Sequence, residues 1–142
     1  TYAGRLDKDA EGLLLMTNDG GLIDAMMRGA NHHEKEYIVK VDKEWTEEAL
    51  EHMRQGVYLE ELEVTTRPCE IERMGFKTIR MVLTQGLNRQ IRRMCSTQGY
   101  HVATLKRTRV MSVGLSGLKP GEYRELSKEE VHNLYKQCGL CS

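Results

Sequence analysis

The sequence predicts an α+β fold in which a mixed, mostly antiparallel sheet is flanked by helices. Helix-like and strand-like segments do not alternate in the regular order a doubly wound sheet requires. No glycine-rich phosphate loop joins a strand to a helix. At 142 residues the chain can bury one real core without disulfides or metal. Two prolines and no low-complexity tract leave no internal linker or repeat array, so residues 1–142 are expected to form one unit.

Each predicted element has a local cause. Residues 12–17 are short and apolar and predict a buried strand after a polar turn at Asp7. Asn18 and Asp19 offer N-cap oxygens for a helix through Ile23, Met26 and Met27 that stops at Gly29. In 34–42, Tyr37, Val39 and Val41 face one way and Ile38 and Lys40 the other, which is a strand with some two-sided burial. Thr46 with Glu47 and Glu48 predicts a capped helix that ends at Gly56. Segments 57–66, 69–73 and 76–84 predict strands of an antiparallel meander. Asn88 is expected to cap a helix to Gln98, with Gly99 as its stop, and 101–108 is another strand. Ser127 to Glu130 forms a capping box that opens a last helix through Val131, Leu134 and Tyr135.

The apolar runs are far shorter than the roughly 20 residues of a membrane span, and the N-terminus lacks a signal-peptide layout. The reading is a cytoplasmic protein with no membrane partner. The chain opens at Thr1, and a chemistry-like motif follows within four residues, so an upstream part is expected to be missing. Cys138 and Cys141 have ligand spacing but make only half a zinc site, and adjacent His32 and His33 splay apart. No metal is expected, and the four cysteines read as reduced thiols.

Formal net charge is zero, yet the charges are segregated. From Arg73 to Lys119 there are ten Lys or Arg and no Asp or Glu; the rest of the chain holds eleven basic and all twenty-one acidic residues. Such a block predicts a positive face and a nucleic-acid partner. Within "QGLNRQIRRM", Arg89, Arg92 and Arg93 stand at i, i+3 and i+4 on one helical face, while Ile91, Met94 and Cys95 turn toward the core. Three stacked cations are best tolerated where phosphates or a carboxylate neutralise them. Asp7 in "GRLDKDAEGLLLMTND" is the candidate acid, although a lone loop Asp usually caps its own backbone. Tyr37 in "HHEKEYIVKV" is core by default, with a hydroxyl that needs a polar partner.

Taken in order, "GRLDKDAEGLLLMTND", "HHEKEYIVKV", "QGLNRQIRRMCSTQGYHVATLKRTRV" and "LSGLKPGEYRELSKEEV" resemble the ribosomal pseudouridine synthases of the small-subunit synthase A type. The resemblance covers nearly the whole chain, and the HEKEY and QGLNRQIRRM wording points to the F subgroup, which acts on the large subunit. It implies a mixed sheet with a central RNA-binding cleft, no cofactor and no metal. It also implies that Asp7 is the catalytic acid, Tyr37 the active-site tyrosine and Arg92 the basic partner of the acid, while Arg5 fills the gap left by the flipped nucleotide. Lys35, Asn88, Arg89, Arg93, Lys106, Arg107 and Arg109 are the remaining RNA-binding candidates. Ala10 departs from the Ser or Thr usual there. Relatives usually carry an N-terminal RNA-binding module and the first strands of the catalytic sheet, both upstream of this chain.

The implied substrate is a uridine in a large-subunit ribosomal RNA hairpin, with transfer RNA as a further candidate, and the implied state is a monomer. An ionised Asp could attack ribose C1′ or take a ribose proton, and sequence leaves both routes open. A non-catalytic RNA-binding or ribosome-assembly module is the reading from a different class. A glycosidic-bond hydrolase would need a second acid, for which Asp9 and Glu11 are available.

Overall fold

The alternation of residues 34–42 puts a strand at the centre of the principal sheet, where both of its edges are paired. The computed structural model describes residues 2–3, 6, 8–27, 33–115 and 117–138. Along the chain run β1 (Tyr2–Ala3), β2 (Glu11–Gly12), β3 (Leu15–Met16), α1 (Gly20–Met27), β4 (Lys35–Val41), α2 (Glu47–Gln55), β5 (Tyr58–Leu59), β6 (Val64–Thr65), β7 (Glu70–Arg73), β8 (Thr78–Leu83), α3 (Gln90–Thr97), β9 (Val102–Val110), β10 (Val113–Gly114) and α4 (Lys128–Gln137). A six-stranded sheet has the order β10-β9-β4-β8-β7, with β2 added on β9. All of its pairings are antiparallel except β2 with β9. The fold is therefore the mixed α+β architecture the sequence predicts.

One face of this sheet is the main core. Val39, Val41, Ile79, Met81, Leu83, Val102 and Leu105 pack against Ala49, Leu50 and Met53 of α2 and Ile91, Met94 and Cys95 of α3. Trp45 is buried there, stacked on Tyr100 with ring centroids 4.2 Å apart, and its indole N–H donates to the Lys77 carbonyl at 3.2 Å. Helix α2 starts where expected: the Thr46 hydroxyl accepts from Ala49 N–H at 3.1 Å, and Gly56 ends it with φ 105°. A second cluster joins Leu13 and Leu15 to Leu22 and Met26 of α1, Val110, Met111 and Val113, and Leu134 of α4. Asp19 ties it together by accepting from Leu22 N–H at 3.1 Å, as the N-cap of α1, and from the Tyr135 hydroxyl of α4 at 2.5 Å.

Several elements differ from the sequence reading. Residues 12–17 split into two short strands, because Gly12 turns with φ 122° and sends β2 to β9 while β3 pairs with β1. Residues 57–66 fold back as the β5–β6 hairpin around a 3₁₀ turn at Glu60–Leu62, with Glu63 left-handed at φ 51°. Arg89, not Asn88, is the N-cap of α3, and it has no side-chain cap bond. The Asn88 carboxamide oxygen instead accepts from Arg93 at 2.8 Å. Strand β10 follows a left-handed turn at Met111, φ 55°, which apolar periodicity does not reveal. The stop expected at Gly29 and the thiol of Cys141 lie outside the described residues. Among the described residues no helix is long and apolar enough to cross a membrane.

Leu50 is fully buried between α2 and the sheet. Leu50→Ala should lower stability by about 2–5 kcal/mol, read as a reduced urea midpoint at unchanged slope. At α4, the Ser127 to Glu130 capping box is complete, and Arg124 makes a two-pronged pair with Glu130 at 2.8 and 2.9 Å. The hydrogen bond from Arg124, helped by the Ser127 backbone, lowers the Glu130 carboxyl from its ordinary 4.5 to about 2. This depressed group stabilises the fold fully above about pH 4.5 and loses that contribution as pH falls toward 2. Protection of the α4 amides, measured relative to their intrinsic exchange rates, should therefore fall over that interval, and Glu130→Gln should flatten the pH dependence.

Candidate active site

The polar turn after Asp7 has too few residues to hold a shape of its own, so neighbouring elements must hold it. Lys8 and Asp9 form the turn, Ala10 packs against the main core, and Leu13 belongs to the second cluster. Strand β2 lies parallel to β9, with Glu11 beside Lys106 and Gly12 beside Arg107. The next residue is held from both sides: Leu13 N–H donates to the Arg107 carbonyl at 2.8 Å, and Arg107 Nε donates to the Leu13 carbonyl at 2.8 Å. From the other direction Arg92 Nη2 donates to the Asp9 carbonyl at 3.1 Å, and Arg89 Nη1 lies 3.9 Å from the Asp9 carboxylate. Two of the three predicted arginines thus fasten the turn that follows Asp7.

Tyr37 stands opposite Arg107 across β4 and β9, so both side chains lie on the sheet face that carries Val39 and Leu105. The register shifts there: Glu36 pairs with Arg109 and Tyr37 with Arg107, which leaves Thr108 as the extra residue of a bulge. Bulges of this kind re-aim side chains beside active sites. The Thr108 hydroxyl secures it by donating to the Glu36 carboxylate at 2.7 Å. Lys35 shares the Tyr37 face, two residues away, and its Nζ lies 3.5 Å from where a Cβ on Gly86 would stand. Burial, and then the neighbouring Arg107 cation, lower the Lys35 pKa below the usual lysine value. Arg92 has a buried Nε with no hydrogen-bond partner among the described residues, so part of its guanidinium is desolvated. Arg92 therefore reaches the turn directly, while Arg107, with Tyr37 opposite it and Lys35 nearby, holds the residue that follows β2. Asp7 and Arg5 lie outside the described residues.

Other candidates occupy different surroundings. Arg107 is only 1% exposed, so it is not a surface phosphate contact as expected; its guanidinium is spent inside the fold. Arg109 is also committed internally: it donates to the Met111 carbonyl at 2.6 Å and pairs with Glu34 at 3.3 Å. Arg93 donates to the Asn88 carbonyl at 2.9 Å and lies 3.8 Å from Glu61. Lys106 sits on the sheet face opposite Tyr37 and lines a cavity of about 730 Å³ bounded by Leu13, Met16, Leu118, Tyr123 and Leu134. That cavity does not include Tyr37, Lys35 or Arg92.

The acid-free stretch does not make the continuous positive face its composition predicts, because distant acids reach it. Arg80 is bracketed by Glu36 at 2.8 Å, Glu72 at 3.3 Å and Glu70 at 3.6 Å, and Arg73 by Glu44 at 3.5 Å. Sequence reasoning missed Gly12, Gly86 and Thr108 as parts of the site. Gly12 could have been suspected from its place between a polar turn and an apolar run. The roles of Gly86 and Thr108 depend on register and left no local signal.

The family model described as RNA pseudouridylate synthase matches residues 1–97, and the chain belongs to that family. The dual-specificity RNA pseudouridine synthase RluF of Escherichia coli is 48% identical over 133 residues, which are 94% of this chain and 45% of RluF. The ribosomal small subunit pseudouridine synthase A of Escherichia coli is 35% identical over 130 residues, covering 91% of this chain and 56% of that protein. A crystal structure of a pseudouridylate synthase matches with a TM-score of 0.90 at 30% identity, over 94% of this chain and 58% of the other. The chain spans about half the length of these curated relatives.

A Cβ on Gly12 would collide with the Arg107 backbone, and its φ of 122° is one that L side chains rarely adopt. Gly12→Ala should cost at least about 1–3 kcal/mol. The loss should appear as a lower urea midpoint, with faster amide exchange at Leu13.

Proposed function

We propose that this chain isomerises a specific uridine to pseudouridine in large-subunit ribosomal RNA, with Asp7 as the indispensable acid. The observation that carries the reading is the fastening of the turn that follows Asp7, by Arg92 at the Asp9 carbonyl, with its strand β2 on β9, whose other edge takes the strand that carries Tyr37. A pure RNA-binding module would need cations on its surface, not a partly desolvated arginine tied to the backbone of a turn. Membership of the RNA pseudouridylate synthase family supports the same chemistry.

The reaction breaks the bond from ribose C1′ to uracil N1, turns the base and joins C1′ to C5. The C5 proton leaves, N1 carries a proton in the product, and no electrons are exchanged with a second molecule. An Asp carboxylate is ionised near pH 7 without help. It either bonds to C1′ as a nucleophile or takes a ribose proton to start a glycal route. Arg92 orients the acid and offsets its desolvation when RNA covers the cleft. Tyr37 stacks on the uracil and relays the C5 proton.

Extruding the target base costs a few kcal/mol. Arg5 fills the vacated stack, and stacking on an aromatic ring returns on the order of 1–3 kcal/mol per base. Arg89 and Arg93 hold their acids only at 3.9 and 3.8 Å, so approaching phosphates can displace those pairs. Lys35 adds positive charge at the cleft. The relative RluF is named as dual-specificity, and transfer RNA is the second substrate to try here.

Incubating the chain with a large-subunit RNA hairpin and mapping pseudouridine by chemical labelling tests the reading. Asp7→Asn should bind RNA as tightly as the unsubstituted chain and form no pseudouridine. Product at the normal rate from that variant would sink the mechanism. RNA binding without product from the unsubstituted chain would favour the non-catalytic module.

A further inference from the structure

A buried arginine needs an explanation, because removing a guanidinium from water costs several kcal/mol unless its donors are satisfied. Arg107 is 1% exposed in the middle of β9, where Leu or Val would fill the space without that penalty. Its position gives it a task no apolar residue could perform. Its carbonyl accepts from Leu13 N–H and its Nε donates to the Leu13 carbonyl, both at 2.8 Å. One residue therefore holds both backbone polar groups of Leu13. The neighbouring Gly12 lies so close to the Arg107 backbone that no Cβ fits between them. Across the sheet Arg107 stands opposite Tyr37, next to the bulge at Thr108.

We propose that Arg107 is a positioning residue for the isomerisation: it clamps Leu13 so that the turn after Asp7 and the ring of Tyr37 keep one fixed separation. The inference rests on the functional reading above. It places Arg107 outside the RNA contact surface, where the charge pattern of the sequence had put it. It also divides the work of the arginines. Arg92 holds the turn at Asp9, and Arg107 holds the outgoing strand four residues later. With both ends tied, the turn cannot slide along β9 when RNA enters. A misplacement of about 1 Å at a reacting group can cost on the order of 100-fold in rate.

The test compares Arg107→Lys and Arg107→Gln with the unsubstituted chain by thermal unfolding, RNA affinity at several salt concentrations, and single-turnover pseudouridine formation at saturating hairpin. Arg107→Gln should lower the saturating rate by about 100-fold, with RNA affinity and its salt slope unchanged. Arg107→Lys retains a cationic donor and should recover part of that rate; it also serves if the Gln variant does not fold. Weaker binding with a shallower salt slope and a normal saturating rate would make Arg107 a phosphate contact and overturn the proposal. Lower stability with a normal rate per folded molecule would make it a structural residue and overturn it equally. Absence of product from the unsubstituted chain would instead overturn the functional reading, and this inference with it.

Discussion

Strand β9 is the element on which the candidate site depends. It pairs with β4 along one edge, and its other edge takes β2 and then β10. The first pairing sets where Tyr37 stands, and the second sets where the turn after Asp7 ends. A single strand thus links the two parts of the chain, and both also pack against the main core through Ala10 and Tyr37. The parallel rung to β2 is only two residues long and would be weak alone. The reciprocal bonds between Leu13 and Arg107 lock it. The rung also lies between the two apolar clusters, one including Leu105 and the other Leu13, so each cluster steadies it from its own side.

The charge distribution follows from the same sheet. Placing β4, β7 and β8 side by side brings Glu36, Glu70 and Glu72 onto Arg80, and the Thr108 bulge brings Glu36 within reach of Arg109. Opposite charges on neighbouring strands stabilise modestly where they are exposed. Their larger effect is to offset the positive charge of Arg80 and Arg109. The thiols of Cys95, buried, and Cys69, half-buried, have no such part: burial pushes Cys95 up to about 12 and Cys69 up to about 11, which keeps both protonated near pH 7.

Much of the architecture was legible because its signals are local. Thr46 and Ser127 cap the helices they were expected to cap, and the alternation at Tyr37, Val39 and Val41 identified the central strand. The hairpin at 57–66 was not legible, since a continuous β-prone run does not show where the chain doubles back. The cap of α3 was misassigned for a related reason. Asn88 has a good capping side chain, but Arg93 takes its oxygen and leaves Arg89 in the left-handed cap position.

The sequence by itself determined the α+β class, the principal helices and strands, and the candidate set of Asp7, Tyr37 and Arg92. Those properties depend on residue type, period and order, which a chain carries before it folds. Only the tertiary structure decided which cations are available to a partner and which are spent inside the protein. Arg107 and Arg109 look like Arg89 in sequence, yet one clamps a buried peptide and the other pairs with Glu34. That difference depends on which strand lies beside which and in what register. Register is set by long-range pairing and by a one-residue bulge at Thr108, and no short window of sequence records either.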